Sequence, residues 1–520
     1  MLFGLVKKYL GAFLEHARET YAGPLPKYVV DEFRGYLACG DFSRGFALVT
    51  CRSCGDEMAV SFSCKLRGLC PSCAGRRMAG LAAHLVDRVL PSTPVRQYVL
   101  AFPYELSGLA ATRPDVLAAL SRIFWESLRG RYQAWAKTAG LARSSAGHGE
   151  TGAVTGVHRA GASLNVHVHF HILCLDGVYV PDADGTLSFE PAPTPTRAEL
   201  TSMLERIYAR VMKWLARRRL LRNPDDAGAS NAPPELSPAE ALATAAMQRG
   251  SLVTLRESTD GARDDDPSIA SPPPRVTDAV THERFNLHAS VHLAANDDVG
   301  RERLCRYLNR PAFSLARLRL RRDGTVSYRV KKASRGRVTE RVMTPIETMA
   351  RLAAMVPPPR YPLLRFHGVL APRHRWRDRV VPRPPPARAA AAPSMRPPME
   401  EAKAARCRPA QDAADGRAAF IFDVVPAATT ATLTMTGAAK QLAPNVLSLA
   451  HWDRILQGEL YATSSRIDWR TLLKRTFDVD LRVCVRCGGK LTVRTVFTDP
   501  ASVAKLLAVL RCPRAPPTAA

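Results

Sequence analysis

The segment His167-Val168-His169-Phe170-His171-Ile172-Leu173 places three imidazoles at every second position with apolar side chains between them. Successive side chains of a β-strand point to opposite faces. The alternation therefore predicts a strand with histidines on one face and Val166, Val168, Phe170 and Ile172 packing a core on the other. It reaches back to Asn165 and forward through Cys174. Three imidazoles on one sheet face are a metal-binding pattern, and the plainer alternative is a half-exposed strand whose histidines only make hydrogen bonds. Metal-dependent hydrolases also use His-x-His pairs, so the segment alone does not choose a reaction.

The flanking sequence supplies neighbours for this strand. Residues 151–157 read as its antiparallel partner and 95–102 as a further strand, on β-branched and apolar content. From Phe285, the residues Asn286, His288, Ser290 and His292 alternate with Leu287, Ala289, Val291 and Leu293, which predicts a second histidine-faced strand. Helices are expected at the N-terminus and over 76–89, 114–140, 198–221 and 300–309, the last stopped by Pro311. Asp323-Gly324 marks a hairpin turn after 314–320. The mixture is α+β, with no internal repeat.

Two stretches interrupt it. Residues 223–280 are rich in Pro, Asp, Ser and Gly, and 382–410 in Pro, Ala and Arg, which is insert and linker composition. The expected division is an N-terminal helix and zinc module over 1–92, a catalytic domain in two parts over 93–222 and 282–381 around a flexible insert at 223–281, a linker at 382–415, and a small C-terminal domain over 416–520.

With 74 Lys and Arg against 47 Asp and Glu, the 520-residue chain carries a formal charge of +27, which calls for a polyanionic partner, nucleic acid first. A membrane surface would also attract that charge. However, there is no run of 18 apolar residues, and Lys7 and Lys8 interrupt the apolar start, so neither a spanning helix nor a secretory signal is expected. A cytoplasmic protein with no membrane partner is the expectation. The 12 cysteines agree with a reducing compartment, where Cys-x-x-Cys spacing points to thiolate ligands rather than disulfides. Cys51-x-x-Cys54 and Cys70-x-x-Cys73, fifteen residues apart, predict one tetrahedral structural Zn²⁺, with Cys39 and Cys64 near enough to replace a ligand or serve a second site. Lys65, Arg67, Arg76 and Arg77 among these ligands suggest a module that grips phosphates. Cys484-x-x-Cys487 is half of a further ligand set.

In Arg301-Glu302-Arg303-Leu304-Cys305-Arg306-Tyr307-Leu308-Asn309-Arg310, helical spacing gathers Arg303, Tyr307 and Arg310 on one face. Guanidiniums can hold a phosphodiester and favour the phenolate of a tyrosine nucleophile, because a free phenol deprotonates only near pH ~10. The plainer alternative is an interfacial tyrosine on a basic helix. The order of cysteine cluster, His-hydrophobe-His strand and tyrosine helix resembles the rolling-circle transposases of the insertion sequence 91 family, within the HUH nuclease superfamily. The resemblance rests on 63–73, Pro94-Val95-Arg96-Gln97, 164–177, 303–310, Phe366-His367-Gly368-Val369-Leu370-Ala371-Pro372 and Cys484-Val485-Arg486-Cys487-Gly488-Gly489.

This resemblance implies an HUH-type antiparallel sheet flanked by helices. It implies that His169 and His171 hold a catalytic Mg²⁺ or Mn²⁺, with His288 the first candidate for third ligand and His167 the second, and that Tyr307 is the nucleophile. Arg67, Arg76, Arg303 and Arg310 would contact DNA. Two-tyrosine members carry their extra tyrosine one helical turn earlier, where this chain has Arg303, so the one-tyrosine, common-region-like branch is implied. The implied partners are single-stranded DNA at element termini, target DNA and host replication proteins, in a bacterial, nucleoid-associated setting. The rival readings are a plasmid replication initiator or relaxase with the same chemistry, a zinc hydrolase, disfavoured by the charge, and a non-enzymatic zinc-dependent DNA-binding protein.

Overall fold

The computed structural model describes residues 1–21, 23–141, 149–221, 236–247, 252–256, 279–330, 337–382, 484 and 486–510. The chain opens with α1 (Leu2–Thr20) and α2 (Lys27–Leu37), whose apolar faces meet through Phe13 and Phe33 with ring centroids 5.8 Å apart. An antiparallel pair, β1 (Phe46–Cys51) and β2 (Glu57–Ser61), leads to α3 (Pro71–Arg88). Pro71 opens that helix at the position where its missing N–H costs nothing.

The centre of the molecule is built from β3 (Val95–Ala101), α4 (Tyr104–Thr112), α5 (Pro114–Thr138), β4 (Gly152–Ala160) and β5 (Val166–Leu175). The hairpin β6 (Gly177–Pro181) and β7 (Leu187–Pro191) follows, then α6 (Arg197–Arg217), started by a Thr196/Glu199 capping box. Next come α7 (Pro238–Met247), β8 (Leu252–Arg256), β9 (Ala279–His282), β10 (Phe285–Leu293) and α8 (Asp298–Leu308). The hairpin β11 (Leu318–Leu320) and β12 (Val326–Arg329) turns at Gly324, whose φ of +81° suits glycine. After it come β13 (Arg337–Met343), α9 (Pro345–Met355), β14 (Leu364–Gly368), α10 (Arg377–Val380), β15 (Leu491–Phe497) and α11 (Pro500–Leu510).

Among the described residues the main sheet has the order β14-β4-β5-β3-β10-β9, with every neighbouring pair antiparallel. The architecture is thus α+β, as the sequence predicts. The β5 row Val166, Val168, Phe170 and Ile172 is wholly buried, in one core with apolar residues of α4, α5 and α6. Arg159 of β4 is buried on the same side. Its guanidinium donates to the Ala111, Ala354 and Met355 carbonyls and so caps the ends of α4 and α9. On the opposite face α3 and α8 pack together over Leu173 and Leu175, with Ala82, Leu85, Leu304, Cys305 and Leu308 in the contact.

Three expectations are corrected. The insert at 223–281 contains α7, which buries Leu242, Ala243 and Ala246 while packing on α4 and α9, and β8, which pairs with β13. Its last residues, 279–281, belong to β9 of the main sheet, and residues 223–235, 248–251 and 257–278 lie outside the described residues, as does all but the first residue of the 382–415 linker. Second, the described part of the expected C-terminal domain belongs to the N-terminal module: β15 adds to the free edge of β1, giving the order β15-β1-β2, and α11 packs on the 3-10 turn Phe42–Arg44. Third, a bulge lies between His288 and Val291 of β10. The extra residue reverses side-chain parity, so His292 falls opposite Arg96 and meets Asp176 at 3.4 Å, on the other face from His288. No helix of the described residues is long and apolar enough to cross a membrane.

Candidate active site and metal centres

His169 and His171 project from β5 toward the α8 side of the sheet, and directly across from His169 in β4 stands His158. One ring nitrogen from each of these three histidines lies within 4.8 Å of the other two. In each ring the remaining nitrogen is engaged. His169 Nδ1 bonds the His167 carbonyl at 2.9 Å, His158 Nε2 donates to the Leu308 carbonyl at 3.0 Å, and His171 Nδ1 meets the Gln97 side-chain amide at 3.0 Å. His158 Nδ1 and His171 Nε2 are left buried with no hydrogen-bond partner. Burial, aided by the charge of Arg310, holds His158 and His171 well below the usual imidazole range, and burial with neighbouring His167 takes His169 down to about 3. Neutral imidazoles whose outer nitrogen donates to a carbonyl, as in His158 and His169, or to the Gln97 amide with its oxygen turned to His171 Nδ1, keep the inner lone pair that a divalent cation requires. The residues fit a metal.

The helix carrying Tyr307 is seated by several independent contacts. Asp297 caps α8 by accepting from Gly300 N–H at 2.7 Å, and buried Arg301 donates to the Pro91, Thr93 and Ala295 carbonyls. At its far end Leu308 rests against Gly156 of β4, where any Cβ would come within 2.5 Å of Leu308 Cδ1 and 2.8 Å of its carbonyl oxygen. That close approach brings the Tyr307 ring to 5.2 Å from His171 and 5.7 Å from His158, centroid to centroid. The Arg310 guanidinium lies over the tyrosine ring at 4.6 Å, reaching back from two residues beyond the helix end. Arg303 is exposed one turn earlier.

Of the predicted ligands, His169 and His171 are together and His288 is not with them. It stands in register with Val99 of β3, which separates it from β5 by two strand spacings, roughly 10 Å. Its Nε2 meets Ser290 Oγ at 2.8 Å. His167 is half-buried, its ring 5.2 Å from His169 and 5.4 Å from Tyr104, and contributes its carbonyl rather than its ring to the cluster. Sequence reasoning missed His158 and Gln97. His158 follows directly on the stretch read as the partner strand, and only the cross-strand register reveals it.

The cysteines form two clusters in place of the expected one. Cys39, Cys64, Cys70 and Cys73 make the first, all four sulfurs lying within 4.8 Å of one another, with Cys39 3.6 Å from Cys70 and 3.8 Å from Cys73, and Cys64 3.5 Å from Cys73. Cys51, Cys54, Cys484 and Cys487 make the second. The predicted quartet is therefore split between sites, because the β1–β2 hairpin carries Cys51 and Cys54 away from the start of α3. Four sulfurs around a tetrahedral Zn²⁺ lie about 3.8 Å apart, against about 2.05 Å in a disulfide, so the first cluster has the spacing of a zinc site. The buried Glu32 carboxylate accepts from the backbone N–H groups of Arg67, Gly68 and Leu69 and sets the loop between Cys64 and Cys70. Two basic residues expected to meet DNA are used inside the module. Arg67 donates to the Tyr361 carbonyl, and Arg76 lies within electrostatic reach of all four thiols of the first cluster.

Comparison with known families fits this geometry. Residues 6–102, from α1 through the first cluster to β3, match the insertion sequence 91 family model described as "Transposase zinc-binding domain". Residues 152–377, which hold all three clustered histidines and Tyr307, match the model described as "Putative transposase". The chain is an insertion sequence 91 family transposase. A search of curated proteins and a search of solved structures each gave no match. The transposase is thus an enzyme whose substrate is DNA, and its N-terminal module is a structural zinc-binding domain.

Proposed function

We propose that this transposase cleaves and rejoins single-stranded DNA at the ends of a mobile element through a 5′-phosphotyrosine intermediate on Tyr307, supporting rolling-circle transposition. The observation that carries this reading is the placement of Tyr307 against the His158, His169 and His171 cluster with Arg310 on its ring. The three imidazoles would hold the metal ion, which when bound polarises the scissile phosphate. An all-imidazole set favours first-row transition ions over Mg²⁺, so of the two expected cofactors Mn²⁺ should support activity better.

The protein's own steps follow from the site. Arg310 holds the phosphodiester beside the phenol, and the Tyr307 oxygen attacks phosphorus as its proton passes to solvent. The bond from phosphorus to the 3′ oxygen breaks, and that oxygen leaves as a 3′-hydroxyl after taking up a proton. The ester energy is kept in the tyrosine link, so a 3′-hydroxyl can later attack the same phosphorus, form the new DNA bond and release the phenol. With arginine at the position one turn before Tyr307, each chain carries one such link at a time. Exposed Arg303, Arg319, Arg321, Arg322, Arg373 and Arg375 are available to the DNA backbone.

The test is incubation of a terminus-derived single-stranded oligonucleotide with the transposase and Mn²⁺, followed by denaturing electrophoresis. A covalent adduct that is absent from Tyr307→Phe is expected. An adduct that persists in Tyr307→Phe, or none from the wild type, overturns the reading.

A further inference from the structure

Cys51, Cys54, Cys484 and Cys487 come from opposite ends of the chain, and two of them lie far outside the matched zinc-binding span of residues 6–102. We infer that these four residues hold a second structural Zn²⁺ that clasps the C-terminal segment onto the N-terminal module. Sulfur separations of 3.4 Å for Cys51 and Cys487 and 3.7 Å for Cys54 and Cys484 are far too long for disulfides and close to the edge of a thiolate tetrahedron.

The two Cys-x-x-Cys turns have the same local build. Gly55 follows Cys54 at φ +71° and Gly488 follows Cys487 at φ +73°, a left-handed conformation that glycine adopts without strain. Gly55 N–H bonds the Cys51 carbonyl at 2.9 Å, and Gly488 N–H bonds the Cys484 carbonyl at 2.8 Å. In each turn the backbone N–H two residues on points at the first sulfur, Ser53 to Cys51 and Arg486 to Cys484, both at 3.4 Å. Gly489 N–H does the same for Cys487. N–H groups aimed at sulfur stabilise thiolate over thiol, which is the ligand form. The fit is also steric, since a Cβ on Gly489 would lie 2.9 Å from Cys51 Sγ. On binding, each thiol releases its proton to solvent as its sulfur takes the metal. The pairing of β15 with β1 continues directly from the clasp, with Leu491 in register with Cys51.

Cys54 and Cys487 are solvent-exposed, so burial cannot protect them from reagents. Alkylation of the native full-length transposase, read residue by residue by mass spectrometry, should leave both unmodified until a strong chelator is added. Alkylation at the free-thiol rate before chelation overturns the proposal, and this readout does not depend on a variant folding. Replacement of zinc by Co²⁺ gives a second readout, because sulfur-to-cobalt charge transfer counts thiolate ligands and ignores the histidine cluster. Cys484→Ser with Cys487→Ser should lower that absorption by a quarter, or by half where the remaining Cys51 and Cys54 release the ion, and unchanged absorption overturns the clasp.

Discussion

His158 becomes a ligand candidate only through its two ring nitrogens: Nε2–H donates to the Leu308 carbonyl, and Nδ1 is buried without a hydrogen-bond partner. Losing a metal ligand should cost more than the 10–100-fold typical of losing a ligand's outer hydrogen-bond partner. His158→Ala is therefore expected to lower DNA-adduct formation by about 100-fold or more, as much as His169→Ala or His171→Ala. His288→Ala and His167→Ala should keep most of it. Equal losses in His288→Ala and His158→Ala, measured at saturating Mn²⁺, would contradict the placement. His167, His169 and His171 were legible because their spacing is itself a pattern. A single histidine in Val157-His158-Arg159 has none, and its role arises from pairing with a strand eleven residues on. His367 shows what burial does to an imidazole away from the metal cluster. It stacks on Trp125 at 5.1 Å and meets Thr155 Oγ1, and burial takes it down to about 4. A depressed histidine binds fewer protons folded than unfolded, so stability is lost as pH falls below ~6.5 toward the folded value. For wild type this contributes at most about 1.4 kcal/mol per pH unit over that window. Urea titrations between pH 6.5 and 5 should show a shallower decline in His367→Gln, and identical slopes would refute the assignment.

At the scale of elements, the site depends on how closely α8 approaches β4. Gly156 permits that approach, so Gly156→Val should push the helix end off the sheet. A displacement near 1 Å of a reacting group costs about 100-fold in rate. Adduct formation should fall by that order while the chain stays folded by circular dichroism, and full activity would show that the close contact does not position Tyr307. Arg159 is a structural counterpart on the other face. Arg159→Met leaves three buried carbonyls at helix ends without their donor and should destabilise the fold by about 3 kcal/mol or more in urea. The strands β3, β4, β5 and β10 and the helices α3, α5, α6 and α8 were legible to within a few residues from periodicity. The β10 bulge was not, because Ser290 and His292 keep the sequence alternation while the backbone breaks it. Nor was α7, whose short apolar face lies inside a segment with linker composition.

At the scale of the whole molecule, the charge of +27 and the exposed hairpin arginines are the proposed source of DNA affinity. Single-stranded binding should weaken with salt at a log–log slope of about −0.7 per phosphate contact. Replacing Arg319, Arg321 and Arg322 by alanine should reduce the magnitude of that slope by up to about 2, and an unchanged slope would place the DNA elsewhere. The order of motifs along the chain was enough to suggest the family. The closure of the two ends was not legible, since nothing in Cys-x-x-Cys spacing says which distant pair completes a tetrahedron. The proposed active site is likewise assembled across distance, with Tyr307 136 positions beyond His171 in the chain and 5.2 Å from it in space. The most direct test of that assembly is to digest the covalent protein–DNA adduct and sequence the modified peptide by mass spectrometry. A single 5′-phosphate ester on Tyr307 is expected; a 3′-phosphate link, or attachment to any other residue, would overturn the assignment of Tyr307 as nucleophile.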